Sequence, residues 1–257
     1  MTYLDAIILG IVQGLTEFLP VSSSGHLVLT EALLGVSSND ITFEITVHLA
    51  SLLAVFIYFR HSILRLLQSI VRPHMIEERR MIVFLIVGSI PAGVVGVLFK
   101  DFFERAFGDP FMAAVFLLVT GAILLSTRFV RPGEKRVTGI RALLIGCGQA
   151  VAIFPGISRS GSTISAGLLL GVKPEVAAEF SFLLAIPAIG GAAILQTKEL
   201  MNLNAALFGP YAVGFVTTFL FSLAAVYAVL SVIRRGRFNY FAYYCFAAGA
   251  LGLYLFW

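Results

Sequence analysis

Charge is what this chain has least of. Its 14 Asp and Glu and 18 Lys and Arg among 257 residues make 12% charged residues, against about 25% in soluble domains. So little charge, with 59% hydrophobic residues and a mean hydropathy of +0.96, excludes an ordinary soluble globule. Cysteine is equally scarce. Cys147 and Cys245 stand apart in apolar stretches, which excludes a disulfide framework and a cysteine metal site and leaves two small packing residues. No Lys or Arg precedes the first apolar run, and that run contains Glu17 and Pro20. It lacks the marks of a cleavable signal and is expected to remain in the mature protein. Nor does any polar stretch offer room for a separate soluble domain.

What the chain does have is hydrophobic length. At about 20 apolar residues per crossing, it could hold about eight to ten hydrophobic helices. Six stretches read as spans with little interruption: 41–60, 81–100, 111–130, 175–197, 207–233 and 239–257. Two more, 3–34 and 141–171, are each broken by a Pro/Gly/Ser segment into two short helices of roughly 16 and 11 residues, too short to cross a core of about 30 Å.

The basic residues set an expected orientation, because Lys and Arg in short loops stay cytoplasmic. They cluster at 60–80 (Arg60, Arg65, Arg72, Arg79, Arg80), at 128–141 (Arg128, Arg131, Lys135, Arg136, Arg141) and at Arg234, Arg235 and Arg237. The segment 100–109 is net acidic and belongs outside. All three basic loops fall inside only if segment 141–171 is a re-entrant hairpin. Segment 3–34 is assigned the same form because it repeats the second.

The repeat is visible at an offset of 136 residues, where Gln13/Gln149, Phe18/Phe154, Ser22/Ser158, Ser24/Ser160 and Gly25/Gly161 coincide. The expected fold is an all-α polytopic membrane protein with an inverted-topology repeat: six transmembrane helices plus two re-entrant hairpins in one membrane domain, residues 1–257. Repeat one covers about 1–134 and repeat two about 135–257. Such broken helices meet near the midplane, where irregular backbone lines a cavity.

The polar residues inside those breaks carry the chemistry, since intramembrane charge is costly unless paired or facing a functional cavity. Gln13 and Glu17 are four apart, so they share a helix face, and Glu17 is placed to hold a divalent cation or act as general base. Ser22, Ser23, Ser24 and Gly25 precede a short helix, where free N–H groups and hydroxyls suit an anion. Ser158, Ser160, Gly161 and Thr163 repeat the arrangement. Small-residue packing would account for such runs on its own. Arg159 tilts the reading, because a guanidinium at membrane depth fits two-point binding of phosphate. His26, just past the first run, could be nucleophile, acid or base. The favoured scheme has Ser23 attacking while His26 takes its proton. Glu44, His48 and Glu179 stay outside the expected core site.

The motifs QGLTEFLPVSSSGH and PGISRSGST, at this separation, resemble those of the bacterial undecaprenyl-diphosphate phosphatase family, also called bacitracin-resistance proteins. The likeness covers essentially the whole chain. It implies hydrolysis of undecaprenyl diphosphate to undecaprenyl phosphate and inorganic phosphate, recycling the lipid carrier of peptidoglycan synthesis. It also implies a divalent cation, Mg2+ or Ca2+, and a site open to the outer face of the bacterial cytoplasmic membrane. The family's glutamate falls on Glu17, its hydroxyl run on Ser22 to Ser24, its histidine on His26, and its arginine-centred site on Ser158, Arg159, Ser160 and Thr163. The chain departs from the family at Gln13, where many members carry an acid, so any metal held by Gln13 and Glu17 would see one carboxylate. The expected partners are the lipid substrate, membrane lipids and a second copy in a homodimer, with no nucleic acid.

Two other readings compete, and the motif order opposes the first. A type 2 phosphatidic-acid phosphatase would need its Arg-Pro motif before Ser-Gly-His and a His six residues after the Arg, where this chain has Ser165. A lipid-phosphate transporter or flippase, alone or joined to the phosphatase, shares the inverted-repeat plan.

Overall fold

The structure, a computed structural model, describes residues 1–36, 41–99, 109–131, 133–196 and 207–257. The acidic segment 100–108 lies outside them. Eleven α-helices follow one another among the described residues: α1 (Tyr3–Thr16), α2 (Ser23–Leu34), α3 (Ile41–Tyr58), α4 (Arg60–Val71), α5 (Ile76–Leu98), α6 (Pro110–Ser126), α7 (Gly139–Val151), α8 (Arg159–Leu169), α9 (Pro174–Leu195), α10 (Phe208–Arg234) and α11 (Phe241–Phe256).

Among the described residues, five spans are long and apolar enough to cross a bilayer: Ile41–Tyr58, Ile76–Leu98, Pro110–Phe129, Pro174–Leu195 and Phe208–Arg234. The chain is a multi-pass membrane protein. The sixth expected span is shorter than its sequence suggests, because Phe238–Tyr240 forms a 3-10 turn and leaves 16 residues in α11. The outward face of α5 carries Val83, Ile86, Ile90, Val94 and Val97, all more than half exposed. In water that stripe would be unstable; against acyl chains it is the expected surface.

The basic stretch 60–80 is not a loop. Residues 60–71 form α4 and residues 76–80 begin α5. Ile63 and Leu66 of α4 pack on the buried core, so a helical apolar spacing lies hidden among the arginines.

Both breaks have local causes. Pro20 cannot donate to the preceding turn, so α1 ends near Glu17. At 1.5 Å per residue, the 14 residues of α1 reach only about 21 Å. Ser22 then takes φ +69°, the one non-glycine with positive φ among the described residues. It caps α2 by accepting from the Gly25 N–H at 3.3 Å. Ser158 caps α8 in the same way, accepting from Gly161 N–H at 3.0 Å. Each cap serine also lies 3.3 Å, Oγ to Oγ, from the serine two residues on.

Matching elements find matching partners. Helix α1 packs along α10 and α7 along α5. These contacts are close because glycine permits them: a Cβ on Gly10 would lie 2.9 Å from the Gly214 carbonyl oxygen, and one on Gly146 would lie 2.3 Å from that of Gly88. Small residues let membrane helices approach in this way. The two breaks touch as well, since a Cβ on Gly25 would sit 2.9 Å from the Gly156 Cα, and Ser160 donates to the Leu19 carbonyl at 3.2 Å.

Helices α6 and α11 fasten the crossing from outside. Thr120 on α6 donates to the Gly156 carbonyl at 2.8 Å and accepts from the Ser158 N–H at 3.0 Å. Cys245 on α11 approaches the Pro20 carbonyl at 3.8 Å. Pro20 and Gly156 are equivalent at the offset of 136 residues, so each break is held by the last helix of the other half of the chain.

Candidate functional site

A cavity of about 310 Å3 opens where the two breaks meet, within the usual size of small-molecule sites. Its polar wall comes from Glu17 at the end of α1, Ser22 to Ser24 at the head of α2, and Ser158 and Arg159 at the head of α8. Helix α3 adds Glu44 and His48. The remaining wall is apolar and includes Leu27, Ile45, Ile153 and Ile189. One pocket thus joins a polar end that carries a guanidinium to an apolar one.

Glu17 is the hub. Its carboxylate is buried, and Oε1 accepts from Arg159 at 2.8 Å, an ion pair formed between the two breaks. Its Oε2 accepts from Ser23 Oγ at 2.5 Å and from Gln13 Nε2 at 3.0 Å. Arg159 also donates to the Ser181 carbonyl at 3.4 Å. The partner that Arg159 lacks in its own segment is supplied by the other half of the chain. Ser23 and Ser24 open α2, where first-turn N–H groups have no partner inside the helix.

His26 sits differently from the expected scheme. Its Nδ1 lies 2.7 Å from the Ser22 carbonyl and its Nε2 2.9 Å from the Tyr244 hydroxyl, and the two rings are stacked at 5.6 Å. A carbonyl only accepts, so Nδ1 carries the proton and Nε2 accepts from Tyr244. The group bonded to the Ser23 hydroxyl is Glu17, not His26. His26 instead holds the backbone of the strained Ser22.

The expected phosphate set divides. Ser22, Ser24 and Ser158 line the cavity. Gly25, Ser160, Gly161 and Thr163 are buried behind it: the two glycine N–H groups donate to the cap serines Ser22 and Ser158, and Thr163 bonds the Arg159 carbonyl and Ser181 Oγ. Their hydroxyls and amides support the wall rather than form it.

Glu44 and His48, set aside at first, belong to the cavity. Their four-residue spacing in an apolar helix was the available signal. Glu179 does not reach it; the carboxylate accepts from Ser62 at 2.7 Å and ties α9 to α4. Tyr244 had no sequence signal, since it is one aromatic residue in an aromatic-rich helix.

Among the described residues no three His, Cys, Asp or Glu side chains gather into a metal cage. The oxygens present still suit a hard cation: Glu17 supplies a carboxylate, and the buried Gln13 Oε1 has no partner. Magnesium is commonly held by one or two carboxylates with substrate phosphates completing the shell. The residues fit a cation shared with substrate.

Broken helices crossing inside an apolar bundle, with a guanidinium, a carboxylate and serine hydroxyls at a pocket with an apolar wall, define a membrane-embedded site for a lipid bearing an anionic head group. Residues 6–251 match the family described as bacitracin resistance protein BacA, and the chain belongs to that family. It is 40% identical over 99% of its length to an undecaprenyl-diphosphatase of Salinibacter ruber, covering all of that protein. It is 42% identical, over 99% of its length and 98% of the relative, to the enzyme of that name from Carboxydothermus hydrogenoformans. A third undecaprenyl-diphosphatase, from Methanosphaera stadtmanae, is 39% identical over 98% of this chain and 97% of its own.

Proposed function

We propose that the crossed breaks hydrolyse the terminal phosphate of undecaprenyl diphosphate, giving undecaprenyl phosphate and inorganic phosphate. The protein is an undecaprenyl-diphosphate phosphatase, a hydrolase of cell-wall synthesis associated with bacitracin resistance. The observation that carries the reaction is the convergence of Ser23, Glu17 and Arg159 at one cavity from opposite halves of the chain. The transporter reading finds no support in the relatives, whose name is that of a phosphatase.

The geometry supports a two-step displacement. Ser23 Oγ attacks the terminal phosphorus as its proton passes to the Glu17 carboxylate it already contacts, and the bond from phosphorus to the bridging oxygen breaks. Undecaprenyl phosphate leaves. Water then attacks the phosphoserine, the released phosphate keeps the water's protons, and Ser23 recovers its own from Glu17. Arg159 offers its guanidinium to the equatorial oxygens, where charge accumulates, with Ser22, Ser24 and Ser158 donating beside it. A divalent cation bound at Gln13, Glu17 and the substrate would offset diphosphate charge. The apolar wall receives the start of the prenyl chain.

Six crossings and two re-entrant hairpins, arranged as inverted repeats within one domain, are the architecture we infer. The paired contacts of α1 with α10 and α7 with α5, and the identical serine caps, support it. The basic segments then face the cytoplasm and the cavity opens to the outer side of the bacterial cytoplasmic membrane. A homodimer belongs to the same reading and is checked by the protein's mass in detergent.

Purified protein in detergent micelles, where transport is impossible, tests the function directly. It should release inorganic phosphate from a polyprenyl diphosphate in proportion to protein concentration. Binding of that lipid without phosphate release would overturn the reading.

A further inference from the structure

Four histidines occur in the chain, and two of them, His26 and His48, lie on the elements that build the site. They are fixed alike through Nδ1: that of His48 lies 2.8 Å from the carbonyl of Glu44, one turn earlier. Because that oxygen can only accept, Nδ1 bears the proton and Nε2 of the neutral ring presents a lone pair. In His26 the corresponding lone pair is used by Tyr244. In His48 it points toward the cavity, 3.7 Å from Glu17 Oε2, with the side chain 31% exposed.

That separation is informative. At 3.7 Å the pair is too far apart for a hydrogen bond. One ion about 2.2 Å from each atom spans it at an angle of about 115°, and a small turn of either side chain closes that angle toward an octahedral shell. Donation of Nδ1–H to a backbone carbonyl is also how metal-binding imidazoles are oriented. The neighbouring oxygens can join: the Gln13 amide needs only a half-turn to direct its unpartnered Oε1 toward Glu17, and the Ser23 hydroxyl can turn its lone pair instead of its proton.

We propose that His48 Nε2 joins Glu17 Oε2 as a protein ligand of the divalent-cation site, with diphosphate oxygens completing the shell. The proposal rests on the phosphatase reading and deepens it by assigning a nitrogen ligand to the cation. Two consequences follow from the chemistry. Cation binding without a diphosphate is weak, because the protein alone supplies too few ligands. A mixed nitrogen and oxygen site also favours Mn2+ over Ca2+, which prefers an all-oxygen shell.

The test uses the detergent-solubilised protein with Mn2+ and inorganic pyrophosphate, read by pulsed electron paramagnetic resonance. Imidazole 14N modulation should appear in the wild type, persist in His26→Gln and vanish in His48→Gln. Mn2+ affinity in the presence of pyrophosphate should weaken in His48→Gln by at least about tenfold, the smallest loss seen even for an outer-shell partner. Nitrogen coupling that survives in His48→Gln overturns the assignment, as does bound Mn2+ without nitrogen coupling in the wild type, or no Mn2+ binding at all. Phosphate release from a polyprenyl diphosphate is measured on the same preparations. Release that continues while the nitrogen signal is missing defeats the metal assignment alone, whereas absent release defeats the phosphatase reading.

Discussion

Arg159 Nη2 lies 2.8 Å from Glu17 Oε1, joining two residues 142 positions apart in the chain. Both groups are largely withdrawn from water, so each offsets the cost of the other's charge, and removing one leaves an uncompensated charge behind. In the proposed reaction the diphosphate competes for the same guanidinium, so that binding substrate and loosening Glu17 would be one event.

Glu17→Gln keeps the side chain's shape but removes proton acceptance and one charge of the ion pair. We expect kcat to fall by about 10²- to 10⁴-fold, the range of positioned acid–base catalysis. Gln13→Glu should retain turnover. Phosphate release from polyprenyl diphosphate, measured for both variants at matched folding, checks the pair, and an inactive Gln13→Glu would show a need for the Gln13 amide.

Arg159→Lys should be nearly as damaging as Arg159→Ala, since an ammonium cannot reproduce a two-point contact with phosphate oxygens. The expected loss of transition-state stabilisation is about 3 kcal/mol, on the scale of one oxyanion donor. Near-normal turnover of the lysine variant would show that only net charge matters.

Ser23→Ala should abolish nearly all turnover, and rapid acid quenching of the wild type with substrate labelled at the terminal phosphate should trap an acid-stable phosphoserine. Substantial turnover in Ser23→Ala would indicate direct attack by water. Tyr244→Phe removes the donor to His26 without touching Ser23 or Glu17, so its effect should be much smaller.

A cysteine at Gly236, with Cys147 replaced by Ala, should resist an impermeant thiol reagent added to intact cells. Labelling from outside would place the Arg234–Arg237 segment on the wrong side and remove the re-entrant arrangement.

Gly146→Ala places a Cβ 2.3 Å from the Gly88 carbonyl oxygen, whereas Gly96→Ala on α5 meets nothing nearer than 3.8 Å. Forced overpacking costs about 1 to 3 kcal/mol. Thermal unfolding in detergent should show a clear loss for the first variant and little change for the second.

The residues that meet at the cavity were legible in the sequence because polar residues stand out against apolar runs. Glu17, Ser23 and Arg159 could be named from that contrast alone, and the offset of 136 residues showed that the two segments belong together. Their connections were harder to read. A pattern along the chain cannot tell that Arg159 pairs with Glu17, because the contact spans both halves. His26 looked like Ser23's base because it is three residues away, yet Tyr244, 218 residues on, claims its free nitrogen. Helix α4 is hidden in the sequence because its arginines conceal the Ile63 and Leu66 spacing. Gly161 and Thr163 share a motif with Arg159, but a helix turns neighbours in sequence toward opposite surroundings, and these two face the packing.

The reciprocal fastening of the breaks by Thr120 and Cys245 has a consequence for how the protein is made. Cys245 is synthesised 225 residues after Pro20, which at roughly 5 to 20 residues per second is on the order of tens of seconds. Until then the carbonyl of Pro20 lacks its partner from the second half of the chain. A chain stalled before α11 therefore leaves the first break without its fastening, however complete its own half may be.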